Sequence, residues 1–142
     1  MKTRYTPLVS VKKNIMQKSE QVLQQANASL LNAKEALKLS LEALNGIETP
    51  SSGALSAFLS ARALLDSQRK IIVEQEAWIA FAEQEVSKAQ EQLKLDMIEY
   101  EKFKYLELQE IKKIEQKQKM EEAKNLDEIA LMTYDTTKRR VS

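Results

Sequence analysis

The chain has 142 residues, of which 30% are charged and 43% hydrophobic, a balance that suits an ordered chain rather than a disordered one. Its 22 basic and 21 acidic residues are interspersed and leave a net charge of +1, which provides no electrostatic footprint for nucleic acid. The absence of Cys removes disulfides and thiol chemistry, and the absence of His removes the commonest general base together with the commonest metal ligand, which weighs against an enzyme.

Only four residues break helices outright, and three of them lie between Gly46 and Gly53 in Gly-Ile-Glu-Thr-Pro-Ser-Ser-Gly. The fourth, Pro7, stands near the N-terminus. Gly and Pro cost about 1 and 3 kcal/mol inside a helix. The pattern therefore predicts one all-α unit over 1–142: a helix over about 6–45, a bend at 46–53, and a second helix over about 52–134. The short basic tail, 136–142, is expected to fray. The residues from Met1 to Met16 include Lys12 and Lys13 where a secretory leader needs its apolar stretch, and the longest small-or-apolar run, Ala77 to Ala82, is too short to span a bilayer. Both point to a cytosolic chain, peripherally bound to a membrane at most.

In the first helix Val9, Met16, Leu23, Leu30, Leu37 and Leu44 recur every seventh residue, with Ser19, Ala26, Ala33 and Ser40 interleaved. In the second, Phe58, Leu65, Ile72, Ile79, Val86, Leu93 and Tyr100 recur in the same way, interleaved with Ala61, Gln68, Gln75, Ala82 and Ala89. A sustained seven-residue repeat makes a left-handed supercoil, because the apolar stripe keeps facing its partner. Folding the chain at the bend matches large with large: Leu44 with Phe58, Leu37 with Leu65, Leu30 with Ile72, Leu23 with Ile79, Met16 with Val86 and Val9 with Leu93. Small layers then alternate with these, Ser40 with Ala61 and Ser19 with Ala82 among them. The fold expected is an antiparallel coiled-coil hairpin. Its second helix runs on alone beyond the level of Leu93 to Met97 as a C-terminal overhang.

Two surfaces carry more apolar surface than the seam needs. Leu64, Ile71 and Trp78 repeat at seven, one position before the seam series, with Leu55 and Phe81 nearby. They read either as a widened core, covered in a homodimer if need be, or as a docking surface, since exposed aromatic and aliphatic clusters mark interfaces. In the overhang Tyr100, Phe103 and Tyr105 sit among charges. A lone amphipathic helix is marginal in water, so this segment packs on a neighbour in the same chain or on another chain. The charged pairs elsewhere, such as Glu35 with Lys38 and Glu110 with Lys113, are the pattern of a solvated helix face. The carboxylates Glu121, Glu122, Asp127 and Glu128 have no His beside them, and no phosphate loop, catalytic set or metal-ligand spacing occurs. No catalytic site, cofactor or small-molecule substrate is expected.

The linear pattern also resembles a known family. The opening Arg4-Tyr5-Thr6-Pro7-Leu8-Val9 with Val11-Lys12-Lys13 is similar to the start of the FliJ family of flagellar export proteins. Phe58-Leu59 with Leu65, Gln68, Ile72 and Ile79 resembles its middle, and Tyr100-Glu101-Lys102-Phe103-Lys104-Tyr105-Leu106-Glu107 resembles the run before its C-terminal segment. The closing Lys124-Asn125-Leu126-Asp127-Glu128-Ile129-Ala130 resembles its most recognisable motif. The resemblance covers nearly the whole chain, with motifs of moderate specificity.

What the resemblance implies is a component of the flagellar type III export apparatus at the cytoplasmic side of the inner membrane, serving flagellum biogenesis and, through it, motility and chemotaxis. FliJ-like proteins resemble the central stalk of rotary ATPases. The implied partners are the flagellar export ATPase ring, whose assembly and activity they regulate, the membrane export gate protein, and export chaperones. Carried over by position, Lys12, Lys13, Tyr100, Phe103, Leu126, Asp127 and Glu128 belong to the end that faces the ATPase. Leu41, Leu64, Ile71 and Trp78, near the bend, are the candidates for the gate. The rival readings are a hairpin chaperone or adaptor of a related type III secretion system without a stalk role, a membrane-remodelling helix, and a stalk from a virulence-type secretion system or a true rotary ATPase.

Overall fold

The computed structural model describes residues 2–141 and contains two elements among them, α1 (Thr6–Asn45) and α2 (Leu55–Val141), with no strand. The two helices pack against each other as an antiparallel hairpin.

The start of α1 is capped locally. Thr3 Oγ1 accepts from the Tyr5 backbone N–H at 3.1 Å, while Thr6 Oγ1 accepts from the Thr3 N–H at 2.9 Å. These reciprocal bonds satisfy donors that a helix start leaves without partners. Pro7 follows in the first turn, where its fixed φ suits the helix and its missing N–H is not needed. At the other end the Gly46 N–H closes the last turn on the Glu42 carbonyl at 3.0 Å. Gly53, at φ +135°, takes a backbone conformation that a side chain would strain, and α2 starts two residues later.

The tail expected to fray is helical as far as Val141. Thr133, Thr136 and Thr137 each turn their hydroxyls back to the carbonyl four residues earlier, at 2.9 Å, which absorbs their polar groups without leaving the helix. Ser142 lies outside the described residues.

The structure divides into two compact units, one of Ile15–Met97 and one of Met1–Asn14 with Ile98–Ser142. In the first, the seam is built of the two heptad series. Ile72 and Val86 are buried, together with Ser19, Ser40, Ala61, Ala82 and Ala89. Leu23, Leu30, Leu37, Leu44, Leu65, Ile79 and Leu93 are half-buried. Half-burial in a two-helix seam limits each large side chain to roughly 1–2 kcal/mol.

The register differs from the one expected. Gln68 donates to the Ser40 carbonyl oxygen at 2.9 Å, although large-with-large pairing sets Gln68 against Ala33. Ser19 donates to Asp96 through their side chains, although that pairing sets Ser19 against Ala82. One contact is shifted by one heptad and the other by two. A register between them satisfies both and sets large against small: Leu37 against Gln75, Leu30 against Ala82, Leu23 against Ala89, Ile72 against Ser40, Ile79 against Ala33 and Val86 against Ala26. This is the better packing, since a large knob facing a small residue lets the backbones approach without a void. It also accounts for why Ala61, Ala82, Ala89, Ser19 and Ser40 are buried alongside Ile72 and Val86. With this shift Leu44 no longer meets Phe58, which is exposed at 38%, and the first turns of α2 extend past the end of α1. In the connecting segment Ile47 and Pro50 are half-buried, and in the first turns of α2 residues 55–60 are exposed while Ala61 is buried.

In the second unit the start of α1 lies well along α2. Lys12 Nζ is 3.7 Å from a Glu99 carboxylate oxygen and 5.4 Å from the centre of the Phe103 ring, and Arg4 is 3.8 Å from Glu110. Tyr100, Phe103, Leu106, Ile111 and Ile114 are half-buried. The fully exposed part of α2 therefore begins at Glu115 rather than beyond Met97.

Candidate partner-binding surfaces

Helix α2 offers two stretches of exposed apolar surface, one in each unit. In the unit of Ile15–Met97, Trp78 and Phe81 stand one helical turn apart and pack edge to face, with ring centres 5.6 Å apart and planes at 76°. Both are open to solvent, at 63% and 51%. With Glu74 and Ala77 they line a shallow open notch. Ile71 and Leu64, also exposed, continue the line toward the start of α2 at the same seven-residue spacing. The rings are not a widened core: within the described residues nothing of this chain covers them.

Leu41 does not join this surface. It follows the seam residue Ser40, whereas Leu64, Ile71 and Trp78 each precede a seam residue of α2. In an antiparallel pair those two kinds of position line opposite flanks. On the flank that carries Trp78, α1 presents Ala36 and Ala43, small side chains that leave the flank shallow. Glu74, which faces both rings, escaped the sequence reading. The signal was its spacing, one turn before Trp78 on the same face.

In the other unit the residues assigned to one end divide by role. Lys12 is engaged within the chain, between Glu99 and the face of Phe103, and Lys104 sits 5.6 Å above the Tyr100 ring. Lys12, Glu99 and Phe103 thus fasten α1 to α2, and Tyr100 is half-buried beside Lys104 on α2 itself. Lys13, Leu126, Asp127 and Glu128 are exposed. So are Ile129, within the closing motif, and Met120, Leu131, Met132 and Tyr134, which that motif does not include. Through Arg139, every residue from Glu115 onward is exposed.

The flagellar FliJ protein family matches the chain over residues 1–139. The chain belongs to the FliJ family. Neither the curated proteins nor the solved structures contain a match to it. Membership gives this FliJ chain a role connected with flagellar protein export, in a family associated with export machinery rather than with catalysis. Among the described residues no helix of this FliJ chain is long and apolar enough to cross a membrane.

Proposed function

We propose that the chain is a coiled-coil stalk of the flagellar export apparatus, which binds the export ATPase ring, promotes its assembly and couples it to the membrane export gate while escorting export chaperones. The observation that carries this reading is the exposed stretch of α2 from Glu115 to Lys138, in a chain of the FliJ family. An isolated helix with Leu126, Ile129, Met132 and Tyr134 in water is marginal by itself and gains by entering a partner. Entry into a ring supplies that partner, and different contacts with open and closed ring subunits would bias their nucleotide sites. The chain itself hydrolyses nothing. It works in the cytoplasm, held at the inner membrane through its partners.

The test is ATP turnover by the cognate export ATPase titrated with this chain, with ring assembly followed by light scattering. Saturable stimulation, lost when the chain is cut after Lys119, supports the stalk. No binding and no stimulation overturns it and leaves the hairpin adaptor, a reading that the exposed Trp78 flank favours independently. In the stalk reading that flank, with Leu64 and Ile71, is the surface offered to the gate.

A further inference from the structure

The geometry points to a specific chemistry for the Trp78 flank: it receives an amphipathic helix that places an Arg or Lys side chain between Glu74 and the face of Trp78, with apolar residues one turn away on Ile71 and Phe81. This rests on the reading of the flank as a partner surface and adds what the partner must carry.

Charge complementarity argues for it. From Ile71 to Ser87 the helix carries Glu74, Glu76, Glu83 and Glu85 and no basic residue. Glu85 is engaged by Lys88 at 3.5 Å, but Glu74 lines the notch itself, together with Trp78 and Phe81. The edge-to-face packing of the two rings leaves Trp78 with a free face, and indole is the best of the aromatic side chains at attracting a cation. A carboxylate beside an open indole attracts a guanidinium or ammonium twice over, by charge and by the ring quadrupole, and disfavours an acidic partner. The apolar line Leu64, Ile71, Trp78 and Phe81 has the spacing that a helix reads, and Ala36 and Ala43 leave that helix room to approach. Arg69 and Lys70 border Glu74 on the side toward the start of α2, away from the rings, so an acidic partner over the rings would set its charge against Glu74 with no cation on the Trp78 side, which is costly.

The test uses an array of overlapping peptides from the organism's flagellar export proteins, probed with the full chain, Trp78→Ala and Glu74→Lys. Circular dichroism confirms that the variants keep their helicity, and Phe81→Leu serves as a second, milder ring variant. The expected result is a set of peptides whose binding falls at least tenfold with Trp78→Ala and at least fivefold with Glu74→Lys. Each of these peptides carries Arg or Lys among apolar residues at helical spacing. The inference is overturned if no peptide depends on Trp78, or if those that do lack a basic residue or ignore Glu74→Lys. Trp78-dependent basic peptides drawn from proteins other than the gate would overturn the gate assignment and leave the chemistry standing. Gate peptides that bind through Trp78 but ignore Glu74→Lys would do the reverse.

Discussion

The Ser19 hydroxyl donates a hydrogen bond to a carboxylate oxygen of Asp96. That single contact decides how the two helices slide against each other. In the register that pairs the largest side chains, Ser19 meets Ala82, and at 1.5 Å of rise per residue Asp96 then lies about 21 Å away. The side chains of Ser and Asp together reach only a fraction of that. The chain has no Cys, so the register can be tested directly with thiols. We expect Ser19→Cys with Asp96→Cys to link rapidly through a short bifunctional thiol reagent, and Ser19→Cys with Ala82→Cys to remain unlinked. The opposite result, read on a denaturing gel, would restore the large-with-large pairing.

The same contact has an energetic consequence. Ser19 is buried and Asp96 half-buried, and Asp96 also accepts from Gln92 Nε2 at 3.0 Å. Asp96→Ala removes the acceptor and leaves a buried hydroxyl without a partner, so it should destabilise the hairpin by about 1–2 kcal/mol. Ser19→Ala removes the buried donor while the carboxylate keeps water and Gln92, so it should cost less, about 0.5 kcal/mol. Urea denaturation followed by circular dichroism measures both. Equal losses would mean that Asp96 depends on Ser19 as much as the reverse.

Leu30 and Trp78 separate seam from surface. Leu30 is half-buried between the helices, while Trp78 is mostly exposed. Leu30→Asp puts an unpaired charge into the seam and should cost more than about 3 kcal/mol, enough to unfold a slender hairpin. Trp78→Ala should leave helicity intact and move the midpoint by less than about 0.5 kcal/mol, as surface changes do. Thermal melts of the two variants side by side make the comparison. If Trp78→Ala melts as badly as Leu30→Asp, the ring is part of the core and the partner surface is lost.

The parts of this fold that are local were legible in the residues. Gly46, Pro50 and Gly53 mark the break, and the heptads from Val9 to Leu44 and from Leu65 to Leu93 mark the stripes, because propensity and periodicity are written residue by residue. The register was not legible for a physical reason. A seven-residue repeat slid by a heptad still sets stripe against stripe, so the pattern is nearly degenerate along the axis. Choosing the shortest bend matched Leu44 with Phe58. The structure instead leaves residues 55–60 at the start of α2 exposed, and the contacts of Gln68 with Ser40 and of Ser19 with Asp96 favour a register that sets Leu30 and Leu23 against alanines. The Trp78 flank was visible as surplus apolar surface. That Leu41 lies off it depends on which flank each helix turns to the other, whereas Glu74 was legible in its spacing, one turn before Trp78.

The overhang separates stability from function. Every residue from Glu115 through Arg139 is exposed, Arg4 lies 3.8 Å from Glu110, and Ile114 is the last half-buried residue of α2 among those described. A chain ending after Lys119 therefore loses helix that the hairpin does not lean on. Its melting temperature should stay within about 2 °C of the full chain, since surface losses of this kind are worth only a few tenths of a kcal/mol. Mean residue helicity should fall a little, because the removed segment is helical in the full chain. If the overhang is what enters the ATPase ring, the same cut abolishes stimulation of ATP turnover while binding through the Trp78 flank is unchanged. Cutting after Gln109 instead removes Glu110 and Ile114 as well, frees Arg4, and should lower the melting temperature measurably. A truncation after Lys119 that melts like the one after Gln109 would mean that residues beyond Lys119 pack on this chain, and the overhang would cease to be a candidate for an external partner.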